Sequence, residues 1–168
     1  MDAIYEAWTY QNVTQEWESP SYNWGLTHGD FHSGQIMVNP SNLTDMIMLD
    51  WEFTGIMGNP AIDMASWIAL VPPSFAEAHE EDMVREYWKS LIAEGVDPEE
   101  YPFEQLWSDY GIYGAGQMFS RFIYFGGFTP TAVPVMVVTR FIDAFFTRHN
   151  LTPDMMKAPM YGCVDDYV

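Results

Sequence analysis

His28-Gly29-Asp30-Phe31-His32-Ser33-Gly34-Gln35 is followed, after a short hairpin pattern, by Leu49-Asp50-Trp51-Glu52. The acids Asp30 and Asp50, two histidines and an amide lie close together, with apolar runs behind them. Ile36-Met37-Val38 and Met46-Ile47-Met48-Leu49 read as two short strands, joined by the turn formers Asn39-Pro40-Ser41-Asn42. If 36–38 pair antiparallel with 46–49, Gln35 and Asp50 both lie at the open end of the hairpin. The loop carrying Asp30 and His32 enters at that end, so Asp30, Gln35 and Asp50 converge through local structure alone. Mg²⁺ favours one or two carboxylates completed by water and phosphate oxygens. Phosphoryl transfer asks for little beyond such charge neutralisation and positioning. Asp50 and Gln35 therefore read as metal- and cofactor-binding residues, and Asp30 as the group that orients or deprotonates a hydroxyl acceptor.

Outward from this centre, Leu26-Thr27 forms an extended lead into the loop. Downstream, Asn59 is a good N-cap and Pro60 suits a first helical position. Ile62, Ala65, Trp67, Ile68 and Ala69 give that helix an apolar body ending before Pro72. A second helix runs from Phe75 or Glu80 to Glu94, with Met83, Tyr87, Leu91 and Ile92 apolar and Gly95 as its stop. A third spans Phe103 to Phe125, weakened by Gly111, Gly114 and Gly116. A last one covers about Ala132 to His149, and residues 3–12 suit a first. The class is α+β, mainly helical, with one β-hairpin near the front and no repeat or evident linker.

At 168 residues the chain suits one domain with a real core. An apolar share of 48%, with 17% aromatic, argues against disorder. The net charge of −18, with only six Lys and Arg, repels nucleic acid and anionic lipid and attracts metals and amines. The plainer alternative is that the acids keep the protein soluble. Cys163 is the only cysteine, so no intrachain disulfide forms. Met1 to Glu6 has neither the basic nor the apolar part of a signal peptide. The greasy region from Ile112 to Phe146 is broken by Arg121, Pro130, Pro134, Arg140 and Asp143, whereas a span needs roughly 20 uninterrupted apolar residues. The expectation is a soluble cytoplasmic protein with neither nucleic acid nor membrane as partner.

Three segments in order carry a family resemblance: His28-Gly29-Asp30-x-His32-x-x-Gln35, Leu49-Asp50-Trp51-Glu52, and Gly58-Asn59-Pro60-Ala61-Ile62-Asp63-Met64-Ala65. Together they resemble the aminoglycoside phosphotransferase and choline kinase-like family, which has the bilobal protein-kinase architecture. The resemblance implies the C-terminal lobe of a protein-kinase-like fold, with catalytic motifs over 26–70 and a helical acceptor-binding region over 75–150. It implies Asp30 as catalytic base, His32 as a brace of the catalytic loop, and Asp50 as principal metal ligand. It gives His28 and Asp63 supporting roles, Asp63 tying the loop down through backbone hydrogen bonds. ATP as phosphoryl donor and Mg²⁺ as cofactor follow from the same likeness. The sequence departs from the family in having Gln35 where asparagine is usual.

A larger departure concerns the nucleotide lobe. Only 27 residues precede His28, too few for a five-stranded sheet with strands of ~5–6 residues. The only lysines, Lys89 and Lys157, lie downstream. The expectation is a fragment of a larger kinase, its N-terminal lobe supplied by the same or another chain, or a protein that has lost ordinary ATP handling.

Taken singly, Asp30 reads as a turn residue, Gln35 as a strand-edge polar residue, and Asp63 as a helix-start acid. His79 and His149 sit in polar surroundings and read as solvated. The aromatic run from Trp107 to Phe128 reads as core, with a sharper alternative of a cationic-acceptor pocket using Asp109 and Tyr113. The leading function is ATP- and Mg²⁺-dependent transfer of a phosphoryl group to a small-molecule hydroxyl. An inactive kinase-like binding module comes second. A metal-dependent phosphoesterase, which needs further His and Asp ligands, comes third.

Overall fold

A computed structural model of the chain describes residues 18–19, 23–51, 57–68, 71–128, 142–152 and 155. In chain order the elements are β1 (Gly25–Leu26), β2 (Ile36–Asn39), β3 (Asn42–Met48), β4 (Met57–Gly58), α1 (Ala61–Ile68), α2 (Pro73–Ala93) and α3 (Phe103–Phe128). Residues 142–148 are also helical. The described residues are thus mostly helical, with two small antiparallel sheets, compatible with an α+β class. The expected helix over 3–12, the first part of the last helix, and Glu52 lie outside the described residues. No helix among the described residues is long and apolar enough to cross a membrane.

The hairpin forms with Ile36 opposite Met48, Met37 opposite Ile47 and Val38 opposite Met46. Its second strand starts at Asn42, four residues ahead of the Met46 that the apolar pattern suggests. Turn chemistry explains the difference. Asn39 Oδ1 accepts the Ser41 N–H at 3.0 Å, and Asn39 Nδ2 donates to Asp45 Oδ2 at 2.9 Å. A tight turn at Pro40-Ser41 therefore lets Asn42 pair directly with Asn39. The hairpin's apolar side chains, including Met37, Leu43, Met46 and Ile47, are exposed.

The other sheet is a single two-residue contact with a large consequence. Gly25 pairs with Gly58 and Leu26 with Met57. The lead into His28 thereby lies beside the lead into α1. That helix is capped by Asn59, which is fully buried and accepts the Ala61 N–H on its Oδ1 at 3.0 Å.

The core lies where α1 packs against α3, with Ala61, Ala65, Leu106, Tyr110 and Phe145 buried. Gly114 costs α3 some helix propensity but lets α1 approach it: a Cβ there would lie 2.6 Å from that of Ala65. Gly114→Ala should push the helices apart at a cost of ~1–3 kcal/mol. The gain in helix propensity of ~1 kcal/mol only partly offsets that. A lower denaturant midpoint is the expected reading, and a raised one would contradict the close approach.

Helix α2 starts at Pro73, earlier than the apolar pattern indicates, because proline suits the first helical position. It ends at Ala93 with Glu94 as C-cap and two terminal bonds, Gly95 N–H to Ile92 O at 3.1 Å and Val96 N–H to Leu91 O at 3.0 Å. Glu80 on this helix is buried, although it lies in an acidic stretch of sequence. Arg148 Nε donates to its Oε2 at 2.6 Å, Tyr110 OH to its Oε1 at 2.6 Å, and His149 Nε2 lies 3.3 Å from Oε1. His149 is correspondingly not solvated: its side chain is 3% exposed and its ring packs on Trp107, Tyr110 and Phe145.

Burial alone would raise the Glu80 carboxyl, but hydrogen bonds from His149, Arg148 and Tyr110 outweigh it and lower the pKa from 4.5 to about 2. A pKa lowered by folding contributes stability that is complete above the unfolded value and lost as pH falls through the folded one. Stability should therefore drop from about pH 4.5 down to about pH 2. At ~1.4 kcal/mol per unit, the contribution is on the order of 3 kcal/mol. Glu80→Gln should be less stable at neutral pH, by ~3–5 kcal/mol, because Arg148 loses a buried partner. It should also lose that part of the acid dependence. Denaturant titrations of both proteins at neutral and acid pH test this; parallel stability curves would contradict it.

Candidate active site

The loop that carries Asp30 is held from both sides. From α1, the Asp63 carboxylate accepts the His28 N–H on Oδ2 at 2.6 Å and the Gly29 N–H on Oδ1 at 3.0 Å. From the hairpin, the Leu49 carbonyl lies 2.7 Å from His28 Nε2. A carbonyl only accepts, so Nε2 carries the proton and donates. Nδ1 then faces the Asp30 N–H at a long 3.4 Å. The His28 ring also packs on Trp51 and Phe31. Gly29 has φ +84°, the left-handed region that a glycine occupies without a Cβ penalty. The turn that aims Asp30 outward therefore depends on both Gly29 and Asp63.

His32 stands beside Asp30. Its Nδ1 accepts the Gly34 N–H at 3.0 Å, so a neutral ring carries its proton on Nε2. That Nε2 lies 3.6 Å from Asp30 Oδ2, beyond hydrogen-bond distance but close enough to bias the carboxylate electrostatically. Both side chains are about one-third exposed or less, at 28% and 34%, so Asp30 remains reachable.

Hairpin register places the rest. The Gln35 N–H donates to His32 O at 2.9 Å, and the Leu49 N–H to Gln35 O at 2.8 Å. Asp50, the next residue, turns out of the strand with φ +61°. An aspartate tolerates that conformation better than most residues, at ~1–2 kcal/mol. Gln35 Nε2 donates to Asp50 Oδ2 at 2.7 Å. Asp30, His32, Gln35 and Asp50 thus form one connected end of the hairpin, with His28 and Asp63 behind it. Among the described residues no three His, Cys, Asp or Glu side chains could enclose a metal ion by themselves. An exposed Asp50 carboxylate does suit a cation that takes its remaining oxygens from water and phosphate.

Asp109 is not a pocket wall. Its Oδ2 accepts from Asn23 Nδ2 at 3.0 Å, Asn59 Nδ2 at 3.0 Å and Tyr101 OH at 2.9 Å, and its Oδ1 from Gln105 Nε2 at 2.7 Å. Burial and the Asp109 charge push the Tyr101 hydroxyl far up, so it stays a donor. This carboxylate holds the α1 cap, the segment before β1 and the start of α3 together. It contributes to the site by fixing Asn59, and so Asp63. The sequence signal for such a role is an acid flanked by Trp107 and Tyr110 in an aromatic-rich helix.

The model of the ecdysteroid kinase-like family matches residues 4–95, more than half of the chain and all of the stretch from His28 to Asp63. The chain belongs to the ecdysteroid kinase-like family. This is a protein-kinase-like family of small-molecule kinases related to choline kinases and aminoglycoside phosphotransferases. The likeness read from the three motifs is therefore right at the level of the kinase-like group, and the matching member of that group is the ecdysteroid kinase-like one. Neither the curated proteins nor the solved structures contain a significant match to the chain.

Proposed function

We propose that this ecdysteroid kinase-like chain is the catalytic, C-terminal lobe of a small-molecule kinase. It would transfer the γ-phosphoryl group of ATP to a hydroxyl of its acceptor. The observation that carries the reading is the double clamp of Asp63 on the amides of His28 and Gly29, which fixes the turn presenting Asp30. Family membership supports the reaction type.

In this reading Asp30 takes the proton of the acceptor hydroxyl as its oxygen bonds to the γ-phosphorus and the bond to ADP breaks. His32 biases the Asp30 carboxylate from the side, with its Nδ1 turned to the Gly34 amide. Asp50 is the carboxylate that would hold Mg²⁺, which when bound neutralises the phosphate oxygens. Trp51 folds back on the end of β3, donating from Nε1 to Met48 O at 2.9 Å across the turn that carries Asp50.

The exposed apolar side chains of the hairpin, next to this site, support a nucleotide lobe packed there, supplied by the same polypeptide or another chain. The family's name makes an ecdysteroid the first acceptor class to try. A cationic acceptor has less support, because Asp109 is taken up by four donors. The acidic surface argues against nucleic acid and anionic membrane as partners, and the working location is the cytoplasm.

Asp50→Ala should weaken Mg²⁺-dependent nucleotide binding by about 10–100-fold or more, while binding measured without Mg²⁺ is unchanged. Isothermal titration of the intact polypeptide with ATP, with and without Mg²⁺, reads this. Equal Mg²⁺ dependence in variant and parent would remove Asp50 from the cation site.

A further inference from the structure

The amide of Gln35 faces Asp50 with its nitrogen. An ionised carboxylate has no proton to donate, so only the NH₂ end of the amide forms a stable contact 2.7 Å from Asp50 Oδ2. The carbonyl end, the only part of the Gln35 side chain able to ligate a cation, is turned away from that oxygen. Gln35 is also pinned by its backbone, through His32 O on one side and the Leu49 N–H on the other. Asp50 has no strand partner at its own position and sits in left-handed backbone, so its carboxylate needs a side-chain contact to hold its direction.

We infer that Gln35 is a positioning residue for Asp50 and contributes no oxygen to the cation. The inference rests on Asp50 as the cation-holding carboxylate and revises the expectation that both residues are ligands. The extra methylene of glutamine over asparagine lets the amide reach across the hairpin's open end to the carboxylate. A shorter arm would leave that donor out of reach. The bond holds Asp50 oriented before any cation arrives, and the second carboxylate oxygen is the one offered to it.

Side-chain amide NMR of the ¹⁵N-labelled protein tests this without an activity readout. In the parent, one Gln35 NH₂ proton should be shifted downfield, and Asp50→Ala should return it to the position of a free amide. On titration with Mg²⁺ alone, the downfield proton should persist to saturation, while the Asp50 neighbourhood shifts. Loss of that proton on Mg²⁺ addition would mean the amide flips to ligate, which overturns the inference and leaves Asp50 as a ligand. Mg²⁺ shifts that survive unchanged in Asp50→Ala would instead remove Asp50 from the cation site, and the inference with it. Gln35→Asn gives a second reading: the downfield proton should be absent from the shorter amide, and its presence would contradict the reach argument.

Discussion

Asp30→Asn should lower the turnover of phosphoryl transfer by about 10²–10⁴-fold while leaving nucleotide affinity within a few-fold of the parent. The substitution keeps the size and shape of the side chain, so the turn around Gly29 and the Asp63 clamp stay formed. It removes the one group at the tip of the loop able to take a proton. His32 does not replace it, because its Nδ1 is committed to the Gly34 amide and its Nε2 already carries a proton. Initial rates and nucleotide titrations of parent and variant separate the two effects. A variant that transfers at the parental rate would assign Asp30 to the loop's structure alone.

Asp63→Ala should have the largest effect on stability near the site, and a large secondary effect on turnover. It leaves the N–H groups of His28 and Gly29, both buried, without their acceptor. Hydrogen bonds to a charged group contribute ~1.5–3 kcal/mol each, so a loss of about 3–5 kcal/mol is expected. Removing an acid from the first turn of α1 adds a few tenths of a kcal/mol through the helix dipole. Denaturant unfolding gives the cost directly. Unlike Asp30→Asn, this variant should lose stability and turnover together. A cost below about 1 kcal/mol would show that the clamp does not hold the loop.

Much of this site could be read from the sequence because it is built from neighbours. Turn formers at Asn39 to Asn42 set up the hairpin, and its register brings Gln35 and Asp50 to the same open end. The Asn59-Pro60 pair marked the start of α1, and so the position of Asp63 in its first turn. What the sequence hid depends on contacts between distant segments. Glu80 and His149 are 69 residues apart, each in a polar stretch, and only tertiary packing buries them together. Asp109 looked available to a ligand because its donors, Asn23 and Asn59, lie 86 and 50 residues away. Gly114 read as a weak point of its helix, yet its missing side chain is what admits Ala65. The left-handed backbone at Asp50 has no sequence mark at all, since glycine would be the usual signal.

On the proposed function, the site around Asp30 transfers a phosphoryl group to a small-molecule hydroxyl. The most direct measurement incubates the intact polypeptide with γ-labelled ATP, Mg²⁺ and a panel of hydroxylated acceptors that includes ecdysteroids and amino alcohols. Label should appear on an acceptor hydroxyl with the parent and almost none with Asp30→Asn. Transfer to no acceptor, by a polypeptide shown to bind Mg²⁺ and ATP, would contradict it and leave a ligand-holding module in its place.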